Sequence, residues 1–345
     1  MDKGLSIRPV YNSNLINYVC LFMIYPWQQA QWLKVQQQQR AAKLPHALLI
    51  LGSEGLGKLD FAQHLAKSLL CSSPDDKGNA CGDCASCKLI TAETHPDLFI
   101  LQAEERGKTI KVDDVRQLSS KLSLTSQYGG YQVAVIVDAH DMNINASNSL
   151  LKTLEEPPSD TVLILVSSNP QKLPVTVRSR CQVITFNVPD AQQSLSWLES
   201  QNIQQAQALL QLAHGAPLLA LNLQQSDLLD HHKLLVSSLL QVAKNQPLID
   251  QAEQLHKLPL SYMLNWLFDW VEDLIKLHQC GDSVQLVHVA QQSELKQLVA
   301  RSSLSGLYDY LDQVTKNKQL QSIPLNTQML WEDLLLSWYK TLKRV

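Results

Sequence analysis

Four of the seven cysteines stand at Cys71, Cys81, Cys84 and Cys87, in the spacing C-x9-C-x2-C-x2-C. A C-x2-C turn lets two thiolates converge on one ion, and four soft ligands close a tetrahedral zinc site with no position left for water. The chemistry expected is structural: zinc holds a small knuckle together and activates nothing. His95, eight residues beyond the last cysteine, is redundant as a ligand beside four sulfurs. A disulfide framework is not expected, because the cysteines crowd locally and nothing points to an oxidising compartment.

A second cluster is "LILGSEGLGKLDFA", residues 49–62. Gly52, Gly55, Gly57 and Lys58 reproduce a phosphate loop, in which backbone amides cradle phosphates and the lysine meets their outer oxygens. Leu59 stands where a Ser or Thr hydroxyl would ligate magnesium. Glu54 adds a negative charge inside the loop, unfavourable to a polyphosphate by about 1 kcal/mol or more. Taken alone, the glycines fit a tight strand-to-helix connection as well as a nucleotide site. Two further segments weigh against ATP chemistry. "VAVIVDAHD" ends in Asp138, but Ala139 stands where a hydrolysing protein needs a glutamate to polarise water. Asp141 is too far along to replace it and is expected to be solvated or to cap a helix. "HGAPLLAL" offers Pro217 and Leu218 where a lid arginine would reach the nucleotide. The loop is therefore expected to be vestigial, with ATP binding by this chain not expected.

The elements that position these residues follow from hydrophobic patterning. "HALLIL" (46–51), "DLFIL" (97–101), "YQVAVIVD" (131–138) and "TVLILVSS" (161–168) are near-continuous apolar runs, as in parallel strands buried on both faces. Between them lie helical stretches such as "KLDFAQHLAKSLL", with Phe61, Leu65 and Leu69 on one face. This alternation predicts a doubly wound α/β, P-loop NTPase-like domain over 23–188, with the cysteine segment 71–88 inserted after its first βα unit. After "VITFNVPD" the chain becomes rich in Leu and Gln, with helical periodicity and few strand signals. Residues 189–229 read as a short helical domain broken at Gly215 and Pro217. Residues 230–345 read as an all-α bundle in which Met263, Leu267, Trp270 and Leu274 form one stripe, a helix–helix core or a subunit interface.

The chain has 345 residues, 45% hydrophobic and 18% charged, enough for two or three domains. A net charge of −3 argues against an extended basic face, so nucleic-acid contact would be local. The apolar run "LINYVCLFMI" is interrupted by Asn17 and Tyr18 and is too short to span a bilayer. Residues 1–22 are expected to be a leader, with Met23 as an alternative start, and the protein is expected in the cytoplasm.

"NASNSLLKTLEEPPSDTVLILVSSNPQKLPVTVRSRC", with the loop before it and the four-cysteine insertion between, resembles the AAA+ clamp-loader family of bacterial DNA polymerase III. The resemblance covers almost the whole chain from Met23 and is nearest to the subunit type that lacks working ATPase parts. It implies that Ser179, Arg180 and Cys181 form a Ser-Arg-Cys motif whose Arg180 acts in trans as an arginine finger. By spacing alone Arg180 fits a surface or ion-pairing arginine, as Arg178 does. The resemblance further implies a helical lid at 189–229 and a helical collar at 230–345. The partners implied are delta and gamma or tau subunits in a heteropentameric ring, and through them the sliding clamp and primed DNA. An ATP-hydrolysing gamma- or tau-type motor shares the cysteine cluster and the motif, but Leu59, Ala139 and the arginine-free lid oppose it. A zinc-containing nucleic-acid-binding regulator would need a basic, aromatic-rich patch near the cysteines, where only Lys77 and Lys88 lie.

Overall fold

The computed structural model describes residues 24–105, 108–319 and 326–342, so the leader 1–22 lies outside the described residues. The chain divides into two compact units, one ending at Ser194 and one beginning at Leu195.

The first unit is built on five parallel strands, β1 (Ala47–Leu51), β2 (Leu98–Leu101), β3 (Gln132–Ile136), β4 (Thr161–Ser167) and β5 (Gln182–Thr185), in the order β2-β3-β4-β1-β5. The central strands β1, β3 and β4 are buried almost throughout, which is why they are apolar without alternation. The four predicted strands form, each shorter by one to three residues. The fifth was missed: β5 is an edge strand with Val183 42% exposed, so its apolar signal is weak. The helices of this unit are α1 (Gln29–Arg40), α2 (Lys58–Leu70), α3 (Ala85–Thr91), α4 (Val112–Leu122), α5 (Ile144–Glu155), α6 (Val175–Arg178) and α7 (Ala191–Ser200), the last running across the division. Phe61, Leu65 and Leu69 of α2 are buried as their spacing predicted. Because β1 lies between β4 and β5, the strand order reverses there, and the turn after β1 opens at the carboxyl end of the sheet, where such folds bind ligands.

The second unit is helical: α8 (Ala206–Leu212), α9 (Pro217–Gln225), α10 (Leu228–Ala243), α11 (Leu248–Leu255), α12 (Leu260–Cys280), α13 (Gln292–Val299), α14 (Leu304–Gln319) and α15 (Thr327–Thr341). Gly215 takes φ +79° and Pro217 opens α9, producing the expected break. Met263, Leu267, Trp270 and Leu274 are all fully buried, so their stripe is core. No helix among the described residues is long and apolar enough to cross a membrane.

A buried polar cluster sits within that core. Asp273 accepts from the backbone amides of Val287 and His288 and from His288 Nδ1, at 2.8–3.1 Å. The His288 ring stacks on His232 of α10, with centroids 5.1 Å apart. Burial, reinforced by the neighbouring His288 and by Lys233, pulls the His232 imidazole down to about 3. An unfolded histidine titrates near 6.5, so below that pH the unfolded chain binds the proton that the folded chain refuses. The stabilisation is complete above about pH 6.5 and is expected to be lost on acidification toward pH 3, by up to about 1.4 kcal/mol per pH unit. Denaturant unfolding across that range should show the slope, and His232→Gln should flatten it; an equal slope in the variant refutes the assignment. His214, raised by its hydrogen bond to Asp269, acts in the opposite direction but is far more exposed, and its effect is smaller.

Candidate nucleotide, metal and arginine sites

The glycine-rich loop takes positive φ at Gly52, Gly55 and Gly57, and its own chain packs against it. Gly57, the residue before α2, takes φ +75°, and a Cβ there would lie 2.6 Å from the Tyr25 ring and 2.8 Å from Gln28 Nε2. A Cβ on Gly52 would meet the Phe186 carbonyl oxygen at 2.5 Å. Packing of chain on chain therefore demands these glycines before any ligand does. Lys58 Nζ donates to the Ser53 carbonyl at 2.5 Å, and burial lowers its ammonium to about 8 against the opposing pull of Asp138. Segment 25–28 straps the turn from outside. Trp27 Nε1 and Gln28 Nε2 donate to Leu56 O at 3.0 and 2.9 Å, Gln28 Nε2 also reaches Gly57 O at 2.8 Å, and the Tyr25 hydroxyl donates to Asp60 at 3.2 Å. Nothing in the spacing of residues 49–62 signalled this strap.

Just after β3, Asp138 takes a left-handed conformation and Ala139 is fully buried. The expectation for Asp141 was wrong. Its side chain is only 14% exposed, and the cap of α5 is Asn143, which accepts from the Ala146 amide at 2.8 Å. A short 3-10 turn (Ala139–Asp141) moves the cap two residues on and folds Asp141 inward, its carbonyl accepting from the Ile110 amide. His140 fills the same region, with Nδ1 3.2 Å from Ser167 Oγ; burial lowers its imidazole although Asp141 and Asp138 oppose this.

The four cysteines converge. Sγ atoms of Cys71, Cys81, Cys84 and Cys87 lie within 4.8 Å of one another, with Cys71 to Cys81 at 3.5 Å and Cys71 to Cys84 at 3.9 Å. Thiolates held at about 2.3 Å around one tetrahedral ion stand roughly 3.8 Å apart, so the donor set fits a metal such as zinc. Backbone amides point at the sulfurs: Cys81 N–H at Cys71, Cys84 N–H at Cys81, and Cys87 N–H at Cys84, at 3.3–3.4 Å. Burial raises the Cys71 thiol and pushes Cys87 up to about 12. Cys84 goes the other way: burial opposes it, yet hydrogen bonds from Ser72 and the Cys87 amide bring it down to about 5. His95 is not among these donors; it is buried against Ser86.

The arginine motif lies at the end of α6. Ser179 and Arg180 are exposed there, and Arg180 Nη1 donates to the Thr176 carbonyl at 3.0 Å. Its other terminal nitrogen pairs with Glu155, the last residue of α5. Thus "LEEPP" and "RSRC" meet in space, a connection for which neither motif gave a local reason. Arg178 is half-buried instead. Cys181 packs against the sheet core and burial raises its thiol to about 11, as befits a packing residue and not a nucleophile.

Comparison with known proteins places this arrangement. The family model described as "DNA polymerase III, delta subunit" matches residues 27–190, and that described as "DNA polymerase III, delta subunit, C terminal" matches 226–340. The chain is 36% identical to DNA polymerase III subunit delta-prime of Pseudomonas aeruginosa, over 91% of this chain and 97% of that one. The chain belongs to the DNA polymerase III delta-prime family. The delta-prime subunit of Escherichia coli K12 is 32% identical over 90% of this chain and 94% of its own. That of Yersinia pestis is 31% identical over 91% and 95%. The delta-prime kinship therefore spans the sheet, the cysteine insertion and the helical unit together, in agreement with the resemblance carried by the sequence motifs.

Proposed function

We propose that this delta-prime subunit serves the replicative clamp loader without hydrolysing ATP itself, and contributes Arg180 to the ATP site of a neighbouring subunit. The observation that carries the reading is the Arg180 guanidinium, exposed at the end of α6 and oriented by Glu155 and Thr176 O. A planar, permanently charged fork so presented suits the oxygens of a γ-phosphate. Within its own loop the chain has Leu59 for a hydroxyl and Lys58 bonded to Ser53 O, so a nucleotide would have to displace internal contacts without gaining a magnesium ligand. In this reading the subunit joins a ring of one delta, three gamma or tau and one delta-prime subunit in the cytoplasm, with residues 189–229 as lid and 230–345 as collar, acting on the sliding clamp at primed DNA. Cys71, Cys81, Cys84 and Cys87 would hold a structural zinc, which supplies a rigid cross-link and no open coordination position.

Titration of the isolated chain with a fluorescent ATP analogue and magnesium tests the first half. No saturable binding is expected below about 1 mM, equivalent to a binding free energy weaker than about −4 kcal/mol. Micromolar, magnesium-dependent affinity would overturn the reading in favour of a gamma- or tau-type motor.

A further inference from the structure

The four sulfurs arrive from two backbone segments. Cys71 follows α2, while Cys81 lies in the segment that leads into α3 and Cys84 and Cys87 belong to the start of that helix. Something must hold these segments in register, and a buried relay does so. Asp97 N–H donates to His95 Nδ1 at 3.1 Å, which makes Nδ1 an acceptor and places the ring proton on Nε2. His95 Nε2 then donates to Ser86 Oγ at 2.7 Å, and Ser86 Oγ donates to the Leu70 carbonyl at 2.6 Å. Leu70 and Ser86 are the chain neighbours of Cys71 and Cys87. All of the side chains involved are shielded: His95 is 2% exposed, Ser86 4% and Asp97 1%.

The far end of the relay is anchored in the sheet. The Asp97 carbonyl accepts from the Val133 amide of β3 at 2.9 Å, and its carboxylate accepts from Ser126 Oγ and from the amides of Gln127 and Tyr128, each at 3.0 Å. The Tyr128 ring lies 5.1 Å from that of His95. A ring with one acceptor committed to the sheet and one donor committed to Ser86 is fixed in both tautomer and direction.

We propose that His95 is a positioning residue of the metal centre: through Ser86 it ties the backbone on either side of the cluster to the sheet, and it touches no metal. The proposal rests on the reading of the four cysteines as a metal site. Partners outside the ligand shell typically alter metal affinity by about 10- to 100-fold when removed.

The test uses the full chain with bound Zn(II), measuring release to a chromophoric chelator, and a Co(II)-substituted form for its ligand-field spectrum. His95→Gln places an amide donor near the Nε2 position and keeps the arm to Ser86. His95→Asn keeps only the acceptor for Asp97 N–H, and Ser86→Ala deletes the hydroxyl that joins the two segments. His95→Asn and Ser86→Ala are expected to release zinc about tenfold or more faster than the native chain, with His95→Gln staying within about threefold. The cobalt spectrum is expected to remain that of a tetrahedral tetrathiolate in all three. Native release rates in Ser86→Ala, or equal acceleration in the Gln and Asn variants, would overturn the proposal, as would a changed ligand field, which would make His95 a ligand. Ser86→Ala decides the matter if a position-95 variant does not fold. A native chain that neither carries nor takes up metal overturns the metal reading itself, a result distinct from a metal-loaded chain whose variants behave as native.

Discussion

Alanine at position 180 is expected to silence one ATP site of a reconstituted clamp loader, and that site belongs to a neighbouring subunit. Fingers of this kind contribute about 10³ or more to hydrolysis, or roughly 4 kcal/mol of transition-state stabilisation. The fold should not notice. Arg180 and Glu155 are 36% and 51% exposed, and an ion pair so solvated is worth at most about 1 kcal/mol. Because one finger serves one site, total DNA-stimulated turnover should fall by that site's share while the remaining sites continue. Arg180→Lys should recover little, since lysine keeps the charge but loses the planar fork and with it the bond to Thr176 O. Unchanged turnover and unchanged clamp loading in Arg180→Ala would sink the assignment.

The second large effect is expected at the cysteines. Cys84→Ser removes one sulfur of four and leaves a hydroxyl able to replace Cys84 Sγ as the acceptor of the Cys87 amide at the start of α3, so the loss reads on the metal site and not on the helix cap. Structural zinc contributes about 10 kcal/mol or more in domains that fold only with it. This insertion sits on a larger α/β unit that has its own core, so only part of that energy bears on the whole. A loss of about 3 kcal/mol corresponds to a melting point lower by roughly 6–12 °C, with proteolysis falling first on residues 72–84. Thermal melting with and without a strong chelator, beside metal analysis of the purified chain, checks this. A metal-free chain that melts like the native one would remove the structural role.

How much of this was legible in advance depends on how local the determining physics is. The C-x2-C turns, the apolar strands and the Gly215–Pro217 break rest on interactions a few residues apart, and each emerged where the patterning put it. Strand β5 escaped because an edge strand buries one side only, and half of its residues look like loop. Asp141 misled because helix capping turns on backbone dihedrals, and a 3-10 turn passed that role to Asn143. In the strap, Trp27 and Gln28 close on a loop about thirty residues away through backbone carbonyl groups that carry no side-chain signature.

By itself the sequence determined the kin, the α/β class, the grouping of the cysteines and the loss of a magnesium ligand at Leu59, because residue type and short spacing decide all of these. Only the tertiary structure decided that Lys58 turns back onto Ser53, that Glu155 holds Arg180, and that His95 bonds to Ser86, the neighbour of Cys87. Those pairings join side chains from different elements, and the direction of a hydrogen bond between two elements exists only once both have packed against the same sheet.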